Sequence, residues 1–257
     1  MIHVSETGRS IALLNARHEL YTNLYREFDK RIVDAMTRVP REEFVDPAYY
    51  ASSFKDSAQP ITGYESSSIS QPSTVARMTQ LLDPQEEDIV CEIGTATGYQ
   101  SAVLAQLSKQ VFTVESIPEL AYSAEQRLQR LNYRNVRVIA DDGSRRFSPP
   151  EFVDKLLITA SVFPSIQVGI YEILKPGSVC VCPIGGVNGE NTKCDLVKMI
   201  KTDNGMTIDT VLPGYRFIPI EGAYGWSSYI QGFINHANAD FYESLGYQKK
   251  VSASTEE

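Results

Sequence analysis

The sequence has no apolar run approaching the roughly 18–20 residues needed to cross a bilayer. It opens on Met1-Ile2-His3-Val4-Ser5-Glu6, without a basic stretch leading into an apolar one. Neither a membrane span nor a secretory signal is expected, and these features point to the cytoplasm. No block of lysine and arginine is present: 24 basic residues face 32 acidic ones, for a formal charge of −8. A nucleic-acid partner requires a basic footprint to neutralise phosphates, so that class of substrate is not expected. The four cysteines, Cys91, Cys180, Cys182 and Cys194, lack the paired spacing of a zinc site. They read as small buried hydrophobes in a reducing compartment, and no metal is expected.

What is present is enough for one large α/β unit: 257 residues, 42% of them hydrophobic. Up to about Pro60 the chain reads as helical, with Ile32, Ala35, Met36 and Val39 at helical spacing before Pro40. Between Ser52 and Pro72 it turns polar, and on composition the run Ser66-Ser67-Ser68-Ile69-Ser70-Gln71-Pro72 reads as a solvated loop. Helical spacing resumes over Val75, Met78, Leu81 and Leu82. From Asp88 strands alternate with helices: Ile89–Ile93, a helix from Tyr99 to Leu107, Val111–Val114, a helix from Ile117 to Leu131, Val136–Ile139 and Lys155–Ile158. Lys175-Pro176-Gly177 reads as a turn into a strand from Ser178 to Cys182, and Asn188-Gly189 as a hairpin signal before Asp195–Lys201. The expected fold is α/β and doubly wound, a mostly parallel sheet of Rossmann-like type with antiparallel edge strands. Within one compact domain we expect a helical region and substrate loop over 1–83, a core over 84–226 and an extension over 227–257.

In such a sheet ligands bind beyond the carboxyl ends of the strands, where strand order reverses. Three turns lie there. Gly94 and Gly98 bracket the first, and Thr95 and Thr97 can cap the next helix. Glu115 ends the second strand, 21 residues after Gly94, where an acid accepts hydrogen bonds from ribose hydroxyls. Asp142 ends the third, within reach of an adenine amino group. The spacing Gly-x-x-x-Gly lacks the middle glycine of a dinucleotide site, and there is no G-x-x-x-x-G-K-[ST] phosphate loop. The common adenosine ligand without phosphate is S-adenosylmethionine. The competing reading is that the glycines only shape a tight strand–helix turn and Glu115 is a solvated strand end.

The chain resembles the protein-L-isoaspartate (D-aspartate) O-methyltransferase family from about Asp34 to Trp226. The resemblance rests on Val39-Pro40-Arg41-Glu42-Glu43-Phe44-Val45, on Tyr50, Asp56 and Pro60-Ile61, and on Ile69-Ser70-Gln71-Pro72. It continues through Glu92-Ile93-Gly94-Thr95-Ala96-Thr97-Gly98-Tyr99-Gln100, Val114-Glu115, Asp142-Gly143, Ile158-Thr159-Ala160 and a C-terminal strand at Arg216–Ile220. It implies an S-adenosylmethionine-dependent enzyme of the class I methyltransferase type that methylates a carboxylate of a peptide or protein, in repair of isoaspartyl sites. It implies a cofactor site formed by Glu92, Gly94, Thr95, Ala96, Thr97, Gly98, Tyr99, Gln100, Glu115, Ser116, Asp142, Gly143 and Thr159. Ser70 matches the family's substrate-side serine, which reverses the composition-only reading of the serine run. Ser67, Ser68, Ile69 and Gln71 join it on the substrate side. Arg216 has two readings, a partner for substrate carboxylates or a surface ion pair.

Ser66-Ser67-Ser68 stand where family members usually carry Gly-Gln-Thr or Gly-Gln-Ala, and Ser144-Arg145-Arg146 replace a small glycine-containing turn. An alternative reading is therefore a tailoring methyltransferase of a ribosomally made peptide such as a lanthipeptide, acting on aspartate or a C-terminal carboxylate. A remote one is a non-catalytic cofactor-binding module. The chemistry suits the histidine content: a carboxylate is already ionised at pH 7 and needs no general base, and His3, His18 and His236 all lie outside the matched motifs. The turn Thr159-Ala160-Ser161 differs from the Asn/Asp-Pro-Pro-Tyr turn of adenine and glutamine N-methyltransferases.

Overall fold

The computed structural model describes residues 6–144, 152–162, 172–185 and 193–220. Helices α1 (Glu6–Glu27) and α2 (Lys30–Arg38) come first. Asp29 caps α2 by accepting from the Arg31 amide at 2.7 Å. The helix buries Ile32, Val33, Ala35 and Met36 and stops before Pro40, whose ring disfavours helical geometry at Val39. Two short 3₁₀ turns follow, Arg41–Glu43 and Pro47–Ser52.

Part of the polar stretch is a hairpin rather than a loop. Strands β1 (Gln59–Ile61) and β2 (Tyr64–Ile69) form an antiparallel hairpin, with Pro60 opposite Ser68 and Gln59 opposite Ile69. Serine composition suggested solvation, but the ladder satisfies the backbone, and Ile69 is buried at its end. Helix α3 (Pro72–Leu82) begins at once, with Pro72 in its first turn, and ends at Asp83 in the left-handed conformation.

The central sheet has seven strands: β3 (Ile89–Ile93), β4 (Gln110–Glu115), β5 (Val136–Ala140), β6 (Val153–Ile158), β7 (Leu174–Ile184), β8 (Cys194–Thr202) and β9 (Gly205–Tyr215). Their spatial order is β5-β4-β3-β6-β7-β8-β9. The first five run parallel, while β8 and β9 add antiparallel at the edge. Helices α4 (Tyr99–Ala105) and α5 (Pro118–Arg130) make the crossovers from β3 to β4 and from β4 to β5. Strand order therefore reverses at β3, which pairs with β4 on one side and β6 on the other.

Two sequence expectations are corrected here. Lys175-Pro176-Gly177 lies inside β7 rather than before it. Pairing moves from Val153↔Leu174 to Lys155↔Val179, so β7 advances five residues while β6 advances two, leaving three extra residues. A proline and a glycine fit such an irregularity, because it frees them from the ladder. Strand β9 went unread: its hairpin signal is a second Asn-Gly, Asn204-Gly205, where Thr202 pairs with Gly205. Asn188-Gly189 lie outside the described residues, as does the 227–257 extension; the flanking strands pair antiparallel, Ile184 against Asp195.

One hydrophobic cluster joins the N-terminal region to the sheet. Leu20, Leu24, Val33, Met36, Phe44, Phe54 and Ile69 pack with Tyr99, Ala102 and Val103 of α4 and Leu128 of α5. Burial of this order, about 25 cal/mol per Å² of apolar surface, seats the segment from Leu13 to Ile69 on the α4–α5 face. It brings the end of β2 over the carboxyl ends of β3 and β4. All four cysteines are buried, and burial pushes the Cys91 thiol well up. Among the described residues no helix is long and apolar enough to cross a membrane.

Candidate active site

A cavity of about 990 Å³ opens at the strand-order reversal. Its walls are the ends of β3, β4 and β6, Gly143 beyond β5, residues Ser67–Gln71, the first turns of α3 and the segment 214–220. That is the upper end of the volumes usual for cofactor sites.

The turn after β3 is bent by two left-handed glycines, Gly94 at φ +99° and Gly98 at φ +87°. Such backbone suits glycine because it has no Cβ to clash. A Cβ on Gly94 would also collide with the Thr159 hydroxyl, which itself donates to the Gly94 carbonyl at 2.8 Å. Ala96 is left-handed as well, at φ +47°, an uncommon state for a residue with a Cβ. This aims its N–H at Glu115 Oε2, 2.8 Å away. The Ile117 N–H donates to Oε1 at 3.1 Å, so both carboxylate oxygens of Glu115 are fixed by backbone. Behind the turn, Arg127 donates to the Thr97 carbonyl at 2.9 Å.

Beneath the turn lies a buried polar network. Glu92 Oε2 accepts from the hydroxyls of Thr113, at 2.7 Å, and Ser101. Thr95 and Thr113 share a hydroxyl contact of 2.7 Å. Burial pushes the Glu92 carboxyl up to about 7, against the opposing hydrogen bonds from Ser101 and Thr113. Its Oε1 has no hydrogen-bond partner among the described residues.

Of the sequence-selected cofactor residues, Gly94, Thr95, Ala96, Thr97, Tyr99, Gln100, Glu115, Ser116, Gly143 and Thr159 line the cavity. Glu92, Gly98 and Asp142 do not. Glu92 is fully buried under the turn, Gly98 is the residue before α4 and packs toward Leu128, and Asp142 Oδ1 accepts from the amide and hydroxyl of Ser144. The capping role read for Thr95 and Thr97 is also corrected. The Thr95 hydroxyl turns into the buried network, and α4, with Gly98 before it, has no side-chain cap. The Gln100 amide is committed to the Thr79 hydroxyl at 3.0 Å, tying α4 to α3.

From the end of β2 and the segment between β2 and α3, Ser67, Ser68, Ile69, Ser70 and Gln71 all border the cavity. The Ser70 carbonyl accepts from Arg41 Nη2 at 2.9 Å. Its hydroxyl makes no hydrogen bond among the described residues and so remains available to a ligand. The Gln71 amide donates to Asp56 Oδ2 at 3.2 Å. Arg216 borders the cavity but is not in a strand. The segment bridges instead to the end of β6, through Ser161 N to the Ile218 carbonyl at 2.7 Å and Ile220 N to the Ser161 carbonyl at 2.9 Å. No ion pair holds Arg216 among the described residues, so the surface-pair reading has no support there.

Sequence reading missed two contributors. Arg77 borders the cavity with its guanidinium 4.6 Å from the Phe28 ring centroid. Helical spacing gave the signal, since Arg77 lies three and four residues beyond Thr74 and Ser73, which share its wall. Arg41 stood in the matched motif without a role, and nothing local marks it as buried. His18, the only histidine among the described residues, is exposed on α1 and does not border the cavity.

Comparison with known proteins agrees with this geometry. The family model described as protein-L-isoaspartate(D-aspartate) O-methyltransferase matches residues 15–224. A protein-L-isoaspartate O-methyltransferase of Dictyoglomus turgidum is 41% identical over 200 residues, covering 77% of this chain and 86% of that one. One named protein-L-isoaspartate O-methyltransferase 2, from Geotalea uraniireducens, is 38% identical over 199 residues, covering 77% and 88%. Among solved structures, a protein-L-isoaspartate O-methyltransferase aligns with a TM-score of 0.71 at 25% identity, over 81% of this chain and 67% of that one. A Plasmodium falciparum protein described as a candidate member, in complex with S-adenosyl-L-homocysteine, shares the fold with a TM-score of 0.63 at 19% identity, over 80% and 98%. The peptide-tailoring alternative gains no support from relatives so named. With a family model over most of its length and relatives near 40% identity, the chain belongs to the protein-L-isoaspartate(D-aspartate) O-methyltransferase family.

Proposed function

We propose that the protein transfers a methyl group from S-adenosylmethionine to a carboxylate of a peptide or protein, and that the carboxylate is the one exposed at an isoaspartyl residue. The observation that carries this reading is that Glu115, the Gly94 turn and Ser70 border one cavity. The residues suit the cofactor. The backbone N–H groups occupy one site on each Glu115 oxygen, and a carboxylate with about four lone-pair sites keeps capacity for two ribose hydroxyls.

When bound, the cofactor supplies an electrophilic methyl group on a sulfonium. The chain's own work is positioning. Glu115 holds the sugar, and the Gly94–Gly98 turn lets backbone approach it closely. Ser70 donates its hydroxyl to one oxygen of the substrate carboxylate and aims the other at the methyl carbon. The incoming carboxylate is already ionised at neutral pH, so no side chain needs to take a proton. Fixing two reactants in line and excluding water lowers the barrier by several kcal/mol or more.

The test is transfer of labelled methyl to three peptides that differ only in carrying an isoaspartyl residue, a normal aspartyl residue or a free C-terminus. Label on the isoaspartyl peptide is expected. Label on another peptide with none on that one would refute the substrate assignment. Ser70→Ala should lower kcat/KM roughly 10- to 100-fold, the worth of one hydrogen bond to a charged group, while cofactor affinity stays within about twofold. Collapse of cofactor binding would contradict the role given to Ser70.

A further inference from the structure

Arg41 is fully buried, yet no carboxylate pairs with it among the described residues. Its Nε donates to the Ser53 carbonyl at 2.9 Å and its Nη2 to the Ser70 carbonyl at 2.9 Å. Its Nη1 has no hydrogen-bond partner among the described residues. The guanidinium lies 4.5 Å from the ring centroid of Tyr99, and that ring packs edge-on to Phe44 at 5.7 Å. An arginine kept there is costly, because burying an unpaired cation forfeits its hydration and an apolar residue of similar volume would fill the same space. What an apolar residue cannot supply is a rigid fork reaching two backbone carbonyls at once.

One of those carbonyls belongs to Ser70, and the ring beneath belongs to the first residue of the helix that follows the cofactor turn. A second upstream residue grips the same segment. Asp56 accepts from the Gln71 amide at 3.2 Å and from the Ser73 N–H at 2.8 Å. Residues 70–73 are thus held by both Arg41 and Asp56.

We infer that Arg41 is a positioning residue for methyl transfer: it fixes Ser70 relative to the cofactor turn by bracing the Ser70 carbonyl against the Tyr99 ring, with Asp56 as the second brace. The inference rests on the substrate role given to Ser70 under the proposed function. It implies that Arg41 acts through Ser70 and contributes little once the Ser70 hydroxyl is gone.

A double-mutant cycle on the full chain tests this. Arg41→Gln should lower kcat roughly 10-fold in the presence of Ser70, and less than twofold when made in the Ser70→Ala protein. Cofactor affinity, measured by calorimetry without peptide, should stay within twofold in every variant. Arg41→Lys retains the charge and one donor and should recover part of the lost turnover. Equal losses in both backgrounds would overturn the inference, as would a loss confined to cofactor affinity, since either marks Arg41 as general scaffolding. If Arg41→Gln fails to fold, the exposed Asp56→Ala takes its place in the cycle, with the same expectation and the same overturning result. Failure of the wild-type protein to label the isoaspartyl peptide would defeat the proposed function itself and is distinguished from failure of the cycle.

Discussion

On the cofactor side of the cavity, the wall is made by neighbours. Gly94 and Gly98 follow β3 directly, Glu115 ends the adjacent strand, and its carboxylate is fixed by amides of the turn and of Ile117, two residues on. On the substrate side, Ser70 directly follows a short hairpin whose place depends on distant residues: Arg41, 29 positions upstream, and the α1–α2 cluster that seats β2 on α4. The first wall is prescribed by local backbone conformation, the second by tertiary packing. Substitutions in the first should therefore act on cofactor affinity, and those in the second on turnover.

Among tests of the turn and its packing, the largest expected effect is at Gly94. An alanine there would be strained by roughly 1–3 kcal/mol at positive φ, and its Cβ would strike Thr159. Gly94→Ala should weaken S-adenosylmethionine binding roughly 100-fold, measured by calorimetry. Thr159→Ala in addition should recover only part, because it removes the collision and not the strain. Full recovery would show that crowding alone makes the turn need glycine.

A second test separates the turn's polar underpinning from its shape. Because burial raises the Glu92 carboxyl from its ordinary 4.5 to about 7, the folded state holds its proton longer than the unfolded chain does. Stability is then greatest below about pH 4.5 and declines as pH rises toward 7, by an amount on the order of 3 kcal/mol for this group. Glu92→Gln should flatten that segment of the stability–pH curve in urea titrations at pH 5 and pH 8. An unchanged slope would mean that Glu92 is ionised throughout.

The smallest effect should come from the link between the two walls. Thr79→Val removes the acceptor for the Gln100 amide. It should cost about 1 kcal/mol in urea denaturation with little change in cofactor affinity. A cofactor effect larger than the stability effect would show that α3 and α4 transmit strain between the walls.

The same contrast explains what the sequence disclosed. Strands Ile89–Ile93 and Val136–Ala140, the reversal at β3 and the placement of Glu115 were legible because apolar periodicity and glycine spacing are local signals. The serine run misled because side-chain polarity says nothing of a backbone ladder, and Ser70 was found through family resemblance instead. Thr95 was misread because its spacing allowed a helix cap, while the buried Glu92–Thr113–Ser101 cluster offered its hydroxyl a better partner. Arg41 was illegible as a brace: an arginine directly before two glutamates, Glu42 and Glu43, reads as a solvated charge until the fold places Tyr99 beneath it.

The division of labour in the cavity is tested most directly by titrating S-adenosylmethionine into the wild-type protein and into Glu115→Ala. Saturable binding at a single site is expected for the wild type, weakened by roughly 100-fold or more in the variant, which would lose the proposed hydrogen bonds to the ribose hydroxyls. No heat with the wild type, or equal affinity in both proteins, would contradict it.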